Sequence, residues 1–219
     1  MLHLDRDGDV FVLRLDAGEN RFSPDLLGAA EDALATVEST DGPKALVTTG
    51  TGKFFTNGLD TDWLAANGNA MVAYIDRVHQ LFVRILSLPC ATVAAVNGHA
   101  FGAGAMVAIV HDHRIMRADR GYWCLPEVDL GMPFTPGMNA LVPAMVPPAA
   151  AREAMLTGRR WSGPESLAAG IVQQVADEGT VLTEAVAHAQ ALATKAGPNL
   201  AGIRTQLYGP VIAALTSAA

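Results

Sequence analysis

The sequence predicts an α/β fold in which a largely parallel sheet is covered by helices. Short apolar runs alternate with longer segments of helical periodicity, and this alternation is typical of right-handed βαβ crossovers. Runs such as ALVTTG and TVAAV contain only small, apolar or hydroxyl-bearing residues, as expected of strands buried on both faces. From Pro136 onward the pattern becomes helical. We therefore predict a core over residues 1–135 and a helical segment over residues 136–219, both within one domain.

Periodicity and helix-boundary signals define the elements of the first half. The alternating stretch from Val10 to Leu15, VFVLRL, predicts a strand. FSPDLLGAAEDALATVES predicts a helix with Ser23 as its N-cap and Pro24 as its first residue. ALVTTG then predicts a buried strand, TGKFFTNGLD a loop, and NAMVAYIDRVHQLFVRILSLP a long helix that stops at Pro89. TVAAV, HRIMRA and YWCL predict three further strands.

Glycines mark the ends of two C-terminal helices. AAAREAMLTG is closed by Gly158, and GPESLAAG is closed by Gly170. TEAVAHAQALATKAG and LAGIRTQLYGPVIAAL predict two more helices. No internal repeat, low-complexity linker or long charge block divides the sequence, so a second independent domain is not expected.

Composition and charge argue against several classes of protein. The 219 residues are 50% hydrophobic and 17% charged, which is enough apolar material for one substantial core. The formal net charge is −7 and no run of lysine or arginine occurs, so nucleic acid is not an expected partner. No apolar run reaches the ~20 residues of a membrane span, and no targeting signal is recognised at either end. We therefore expect a cytoplasmic protein without a membrane partner.

Cysteine and histidine patterns do not indicate a metal or redox cofactor. Cys90 and Cys124 are far apart and form no C-x-x-C motif, so they predict neither a disulfide framework nor a zinc site. His111 and His113 flank Asp112, but no third and fourth ligands lie nearby in the sequence. We interpret the histidines as packing residues and Asp112 as an acceptor of backbone hydrogen bonds.

The stretch NGHAFGAGAM, from Asn97 to Met106, contains a glycine-rich turn that runs into an apolar segment. Two nucleotide-binding motifs fail. GTGKF resembles half a P-loop, but Val47 stands where the motif needs its first glycine and Phe54 where it needs a hydroxyl residue. GAGAMV resembles a dinucleotide-binding fingerprint, but Val107 stands where the third glycine or alanine belongs. From the residues alone, the small residues Gly102–Ala105 favour either close helix packing or backbone amides aimed at a reacting oxygen.

Three segments follow predicted strands, namely FFTNGLD, NGHAFGAG and LPEVDLGM. The ends of parallel strands gather at one edge of a sheet, so these segments could meet at one site. Together with HDHRIMRADRGYWCLPEVDLG and AREAMLTGRRWSGPESLAAGIV they resemble the crotonase family, the enoyl-CoA hydratase/isomerase superfamily, over about Val10 to Tyr208. The resemblance implies a spiral core of ββα units and an acyl-CoA thioester substrate, with coenzyme A as part of the substrate and no separate cofactor.

The resemblance also implies an oxyanion hole for the thioester oxygen. Its two donors would be the backbone N–H groups of Leu59, after TNG, and of Ala103, within GAG. Relatives often carry glycine at the second position, and alanine leaves the N–H in place. Contacts to coenzyme A are implied for Lys53 and Asp60. The substrate pocket is implied to include Asn57, Gly58, Phe101, Gly102, Met106, Leu125, Pro126 and Phe134.

Met106 separates two activities of this family. Hydratases use two glutamates to hold and activate water; Met106 occupies the position of the first and Glu127 that of the second. Methionine cannot transfer a proton. The sequence therefore resembles the one-glutamate Δ3,Δ2-enoyl-CoA isomerases, in which Glu127 would take a proton from C2 of a 3-enoyl-CoA and return it to C4. A hydratase and a non-catalytic acyl-CoA-binding protein are the alternatives, and a homotrimer or hexamer is implied for all three.

Both acidic residues near this motif have a simpler interpretation. Residues such as Glu127, beside a proline in a loop, are usually solvated surface groups. Asp129 could be a second acid, but we expect it to cap a helix or form a salt bridge instead. If Glu127 is instead buried, its pKa is expected above the ordinary value.

Overall fold

The computed structural model describes residues 1–217 of the chain, and in this part nine strands form two sheets. A six-stranded sheet has the order β1-β2-β3-β5-β7-β9, and a three-stranded sheet has the order β4-β6-β8. The strands are β1 (Leu2–Asp7), β2 (Val10–Leu15), β3 (Ala45–Gly50), β4 (Phe54–Thr56), β5 (Ala91–Val96), β6 (His99–Phe101), β7 (His113–Arg117), β8 (Trp123–Cys124) and β9 (Gln174–Ala176).

Strand pairing in both sheets is parallel except for the β1–β2 hairpin. Strands β3 and β5 are buried along their whole length, because helices cover both faces of the larger sheet. The predicted parallel sheet is therefore confirmed, with an antiparallel strand added at one edge.

The chain winds so that each turn adds one strand to each sheet. Strands β3, β5 and β7 lie side by side in the larger sheet, and their successors β4, β6 and β8 lie side by side in the smaller one. Helices follow each pair of strands. This is the repeated ββα winding that the family resemblance implies, and it brings the ends of β4, β6 and β8 to one edge.

Ten α-helices occur in residues 1–217. The N-cap predicted for the first is confirmed, because Ser23 Oγ accepts a hydrogen bond from the Leu26 amide at 3.2 Å. Gly158 ends the seventh in the left-handed conformation, as predicted. The helices are α1 (Pro24–Ser39), α2 (Thr61–Ala66), α3 (Met71–Ser87), α4 (Ala103–Ile109), α5 (Glu127–Leu130), α6 (Pro136–Met145), α7 (Pro148–Thr157), α8 (Gly163–Ala168), α9 (Val181–Leu192) and α10 (Pro198–Thr216).

Two apolar clusters flank the larger sheet. The first joins side chains of α1, α3, α4, α6 and α10 to one face, and the second joins α9 to the other. Helix α4 is buried at every position, which explains why its sequence shows no polar face. None of the helices between residues 1 and 217 combines the length and apolar character needed to cross a bilayer.

Four strands were not predicted from the sequence. Strands β4, β6 and β9 have three residues each, too few to establish a period of two, and β1 alternates with charged residues in LHLDRD. Strand β4 lies within the segment expected to be a loop, and β9 interrupts the segment 136–219 expected to be helical. The division after residue 135 stays a prediction, and residues 218 and 219 lie outside the described residues.

Candidate active site

A cavity of about 300 Å³ lies at the exits of the three strands of the smaller sheet. All three segments singled out in the sequence contribute to it: the chain after β4, after β6 and after β8. The sequence therefore predicted correctly that these segments meet. The lining residues are Arg21, Asn57, Leu59, Thr61, Phe101, Gly102, Ala103, Pro126, Glu127, Leu130 and Met132.

Glu127 is the one carboxylate among the residues that line this cavity within the described chain. It is the first residue of the short helix α5 rather than part of a loop. Within residues 1–217, its Oε2 atom is buried and has no hydrogen-bond partner. Burial raises the pKa of Glu127 from its ordinary value of 4.5 to about 7. The side chain is thus a poised acid–base group and not a solvated surface residue.

The turn after β4 packs directly against the turn after β6. Gly58 has a φ of +78°, and a Cβ atom there would lie 2.6 Å from the carbonyl oxygen of Phe101 and 3.0 Å from the amide nitrogen of Ala103. Only glycine combines this conformation with so close an approach. Gly58 therefore brings the Leu59 amide, one residue later in the chain, next to the Ala103 turn.

The amides of Leu59 and Ala103 are free to bind a ligand. The hydrogen bonds of residues 1–217 include none donated by either amide, although both residues line the cavity. Their neighbours are engaged: the Gly102 amide donates to the Cys124 carbonyl at 3.0 Å, and the Asp60 amide to the Tyr74 hydroxyl at 2.8 Å. Ala103 begins α4, so its amide has no acceptor within the helix.

The segment between β2 and α1 supports the first of these turns. The Asn57 amide donates to the Glu19 carbonyl at 2.9 Å, and the Phe22 amide donates to the Gly58 carbonyl at 2.8 Å. Buried Asn20 adopts a φ of +54° and donates from Nδ2 to the carbonyls of Phe54 and Phe55, at 3.1 and 3.0 Å. Sequence analysis missed this segment; its GEN triplet is a turn signal, but nothing in it indicates the distant partners.

The second turn is supported from β8 and β4. The indole Nε1 of Trp123 donates to the carbonyl of Ala105 at 3.0 Å, which ties the first turn of α4 to β8. A Cβ at Gly104 would lie 2.4 Å from the carbonyl oxygen of Thr56. Close packing, one of the two interpretations left open by the sequence, is therefore confirmed for the glycine-rich stretch. That its amides are aimed at a reacting oxygen stays a prediction.

Four residues expected in the pocket do not line the cavity. Met106 and Leu125 are fully buried, because α4 and the chain after β8 turn these side chains into the core. Gly58 lies beneath the turn and offers no side chain. Phe134 packs against the core cluster. The pocket wall instead includes Thr61, Leu130, Met132 and Arg21, which sequence analysis did not identify.

Lys53 and Asp60, the residues expected to contact coenzyme A, also lie outside the cavity lining. Asp60 is the N-cap of α2 and accepts a hydrogen bond from the Trp63 amide at 3.1 Å. Lys53 is exposed, with its Nζ atom 5.4 Å from the centre of the Phe54 ring. Their contact with coenzyme A stays a prediction.

The remaining polar candidates have structural partners. His111 Nδ1 lies 2.7 Å from the Val107 carbonyl and Nε2 lies 2.8 Å from the Thr48 hydroxyl, and burial lowers its pKa to about 3. Asp112 Oδ2 accepts from the Thr92 amide at 2.8 Å, as interpreted. His113 stacks on His188 with ring centres 3.8 Å apart. No three His, Cys, Asp or Glu residues in positions 1–217 are grouped so as to hold a metal ion.

Asp129 is not a second acid of the site. It is exposed on α5 and does not line the cavity, and a Cβ at Gly158 would lie 2.5 Å from its Oδ2 atom. The expected salt bridge is absent from the ion pairs of residues 1–217. Glu127 therefore faces the cavity without a carboxylate partner.

Comparison with known proteins connects this site to a family. A family model described as Enoyl-CoA hydratase/isomerase matches residues 5–216. Enoyl-CoA delta isomerase 3 and the peroxisomal enoyl-CoA delta isomerase 2 of Arabidopsis thaliana are each 39% identical, over 95% of this chain and 92% of the relative. A carnitinyl-CoA dehydratase of Salmonella paratyphi A is 33% identical over 93% of this chain and 78% of the relative.

Solved structures show the same architecture. A probable enoyl-CoA hydratase of Mycobacterium tuberculosis superposes with a TM-score of 0.92 at 24% identity, covering 99% of this chain and 92% of that one. A second structure of the same mycobacterial protein, described there as an enoyl-CoA isomerase, gives a TM-score of 0.88 at 25% identity, covering 98% of this chain and 93% of that one. These likenesses confirm the predicted fold class.

Proposed function

This chain belongs to the enoyl-CoA hydratase/isomerase family, and from that membership we propose that it moves the double bond of a 3-enoyl-CoA to position 2. The crotonase-like resemblance found in the sequence is confirmed. So is the prediction of an enoyl-CoA isomerase, by relatives of that name at 39% identity over most of the chain. The substrate is accordingly a coenzyme A thioester.

The observation that carries the mechanism is the single carboxylate in the cavity. Activating water with two glutamates needs a second acid–base group, and within the described lining Glu127 has no such companion. Met106, at the position of the other glutamate, is buried in α4 and cannot exchange protons. One base is sufficient for a proton shift, because the same group can remove a proton and return it.

The reaction begins with Glu127 in its carboxylate form. It takes a proton from C2 of the 3-enoyl-CoA, and the electron pair of the broken C–H bond delocalises over C2, C3, C4 and the thioester oxygen as a dienolate. The protonated Glu127 then returns the proton to C4, which leaves the double bond between C2 and C3. No atom is gained or lost, and the enzyme ends in its starting state.

The amides of Leu59 and Ala103 would stabilise the dienolate oxygen. Neither donates a hydrogen bond among residues 1–217, both border the cavity, and Gly58 holds their turns together. Fixed N–H dipoles need no reorganisation as charge develops, and removing one such donor costs about 3–4 kcal/mol in measured systems. A carboxyl with a pKa near 7 and two amide donors together suit abstraction of a proton next to a thioester.

Three further properties belong to the proposal. Fatty-acid β-oxidation is the process that such an isomerase would serve, with no cofactor beyond the substrate's own coenzyme A. A homotrimer or hexamer is supported by Ile203 and Leu207, which lie one turn apart on α10 and are 63% and 66% exposed. Sedimentation would give the mass of the assembly.

A cytoplasmic location also stays a prediction, and one of the relatives is named as peroxisomal.

A two-substrate assay tests the function. The purified chain should convert a 3-enoyl-CoA to the 2-enoyl-CoA and should not hydrate a supplied 2-enoyl-CoA at a comparable rate. The reverse preference would indicate a hydratase. Binding of both thioesters without turnover would indicate an acyl-CoA-binding protein.

A further inference from the structure

We propose that Thr56 is a positioning residue for this reaction, which sets the spacing between the Leu59 and Ala103 amides without touching the substrate. The inference rests on the proposed function, since it concerns the same oxyanion hole. Thr56 ends β4 and is fully buried, and it is not among the residues that line the cavity. Its hydroxyl holds one turn, and its methyl group and carbonyl pack on the other.

The hydroxyl of Thr56 restrains the backbone of Gly58. It accepts a hydrogen bond from the Gly58 amide at 3.1 Å and donates one to the Asn20 carbonyl at 2.6 Å. The Gly58 carbonyl in turn accepts from the Phe22 amide at 2.8 Å. Both polar backbone groups of Gly58 are therefore fixed by named partners.

Fixing the Gly58 carbonyl also fixes the direction of the next N–H group. In a trans peptide the carbonyl and the following N–H point in opposite directions. Since the Gly58 carbonyl points toward Phe22, the Leu59 N–H points away from it. The Thr56 hydroxyl holds the amide of Gly58, and Phe22 holds its carbonyl. Without the hydroxyl, Gly58 could rotate and the Leu59 N–H would change direction.

Thr56 contacts the second donor turn as well. A Cβ at Gly104 would lie 2.4 Å from the Thr56 carbonyl oxygen and 2.8 Å from its Cγ2 methyl. The backbone of α4 therefore rests on Thr56 one residue after Ala103. A single side chain thus links the turns that carry both amides, and its shape sets how closely they approach.

The acceptor of the Thr56 hydroxyl is itself held rigidly. Asn20 is fully buried, and its side-chain amide donates to the carbonyls of Phe54 and Phe55 at a bulge where β4 pairs with β6. Bulges re-aim the residues that follow them. Asn20 therefore fixes the end of β4, and the Thr56 hydroxyl connects Asn20 to Gly58, in the turn that carries the Leu59 amide.

Thr49 provides a matched control. It is also a buried strand threonine, 2% exposed, and its hydroxyl donates to the Ala95 carbonyl at 3.0 Å. It does not line the cavity. Thr49→Val and Thr56→Val each remove one buried hydroxyl while keeping the side-chain volume, but Thr56 loses two hydrogen bonds and Thr49 one. Thr56→Val should therefore cost more folding free energy, and the variants are compared at a temperature at which both are fully folded.

The test compares Thr56→Val, Thr56→Ser, Thr56→Cys and Thr49→Val with the unmodified protein. The first measurement is kcat and KM for a 3-enoyl-CoA. The second is the pH at which bound acetoacetyl-CoA becomes its enolate, followed by ultraviolet absorbance, because this pH reports how strongly the amides stabilise an oxyanion.

Thr56→Val should lower kcat by about 10- to 100-fold with KM within about twofold, as expected for a misplaced donor. The enolate midpoint should rise by about one to two pH units, because each unit corresponds to a tenfold change in oxyanion stabilisation. Thr56→Ser should recover most of the activity, and Thr56→Cys should fall between Ser and Val because a thiol is a weak hydrogen-bonding group. Thr49→Val should change neither measurement.

Equal kcat and enolate midpoints for Thr56→Val and Thr49→Val would overturn the inference while leaving the isomerase intact. If Thr56→Val does not fold, equal enolate midpoints for the Ser and Cys variants would do the same. An unmodified protein that neither isomerises the substrate nor binds acetoacetyl-CoA would instead refute the proposed function, and the inference with it.

Discussion

The Oε1 atom of Glu127 lies 3.3 Å from the point where a Cβ of Gly102 would be. Gly102 has a φ of +54° and directly precedes Ala103, whose amide is free. The carboxyl group and the amide therefore share one wall of the cavity. In a thioester, C2 is bonded to the carbonyl carbon, so a base and an oxyanion donor this close can act on one substrate at the same time.

Glu127→Gln should abolish isomerisation. The amide keeps the size of the side chain but cannot take up a proton at neutral pH, and a positioned acid–base group contributes about 10²- to 10⁴-fold to rate. We expect kcat for a 3-enoyl-CoA to fall by about 10³-fold with little change in KM. Asp129→Asn, which alters an exposed carboxylate on the same helix, is the matched control and should retain full activity. Comparable losses in both variants would contradict the role of Glu127.

The activity should depend on pH through the ionisation of Glu127. Burial raises its pKa to about 7, and the first step needs the carboxylate. A plot of kcat/KM against pH should therefore rise with a midpoint near 7 and level off above it. A midpoint near 4.5, the ordinary value for glutamic acid, would contradict the raised pKa of Glu127 in the free enzyme.

The same raised pKa means that Glu127 should lower the free energy of unfolding at neutral and alkaline pH. Between the ordinary pKa of 4.5 and the folded-state value of about 7, the folded protein holds a proton that the unfolded chain has released. Its free energy of unfolding therefore falls as pH rises through this window, and the loss is complete above it. Glu127→Gln does not titrate there.

Urea unfolding of both proteins at pH 4 and pH 8 measures this cost. Relative to the unmodified protein, Glu127→Gln should gain about 3 kcal/mol of unfolding free energy between the two pH values. A stability difference that is independent of pH would mean that Glu127 titrates normally in the folded state.

Those site residues that lie within short sequence motifs could be predicted from the sequence. The roles of Glu127, Leu59 and Ala103 were implied by short motifs that resemble the crotonase family. Each motif follows a strand, and parallel strands deliver such segments to one edge of a sheet. Asn20 and Thr56 were missed because their importance comes from hydrogen bonds between segments that are 34 or more residues apart. No local pattern encodes such partners.

The direction of buried side chains was also beyond the sequence. Met106 and Leu125 lie close in the chain to residues that line the cavity, and the resemblance implied that they belong to the pocket. The structure buries both in the core: Met106 lies on α4, which is buried at every position, and Leu125 follows β8. Adjacency in sequence fixes where the backbone passes but not which face of a fully apolar helix meets the ligand.

Met106→Glu should therefore fail to create a hydratase. Its side chain would be buried in an apolar core without a hydrogen-bond partner, and burying such a group costs several kcal/mol. We expect a clearly lower midpoint of thermal unfolding and no hydration of a 2-enoyl-CoA. Met106→Gln tests the polarity alone and should be destabilised less. Hydratase activity in a stably folded Met106→Glu variant would show that position 106 reaches the substrate.

Gly58→Ala should impair catalysis more than stability alone explains. The φ of +78° disfavours any side chain by about 1–2 kcal/mol, and a Cβ would press on the Phe101 carbonyl at 2.6 Å. Relieving that contact must separate the two turns, so kcat should fall by about 100-fold. Gly42→Ala is the matched control, with a φ of +84° and no heavy atom of the described chain within 4 Å of its Cβ. It should lose similar free energy from backbone strain while keeping kcat, and a similar loss of kcat in both variants would refute the convergence of the Leu59 and Ala103 amides.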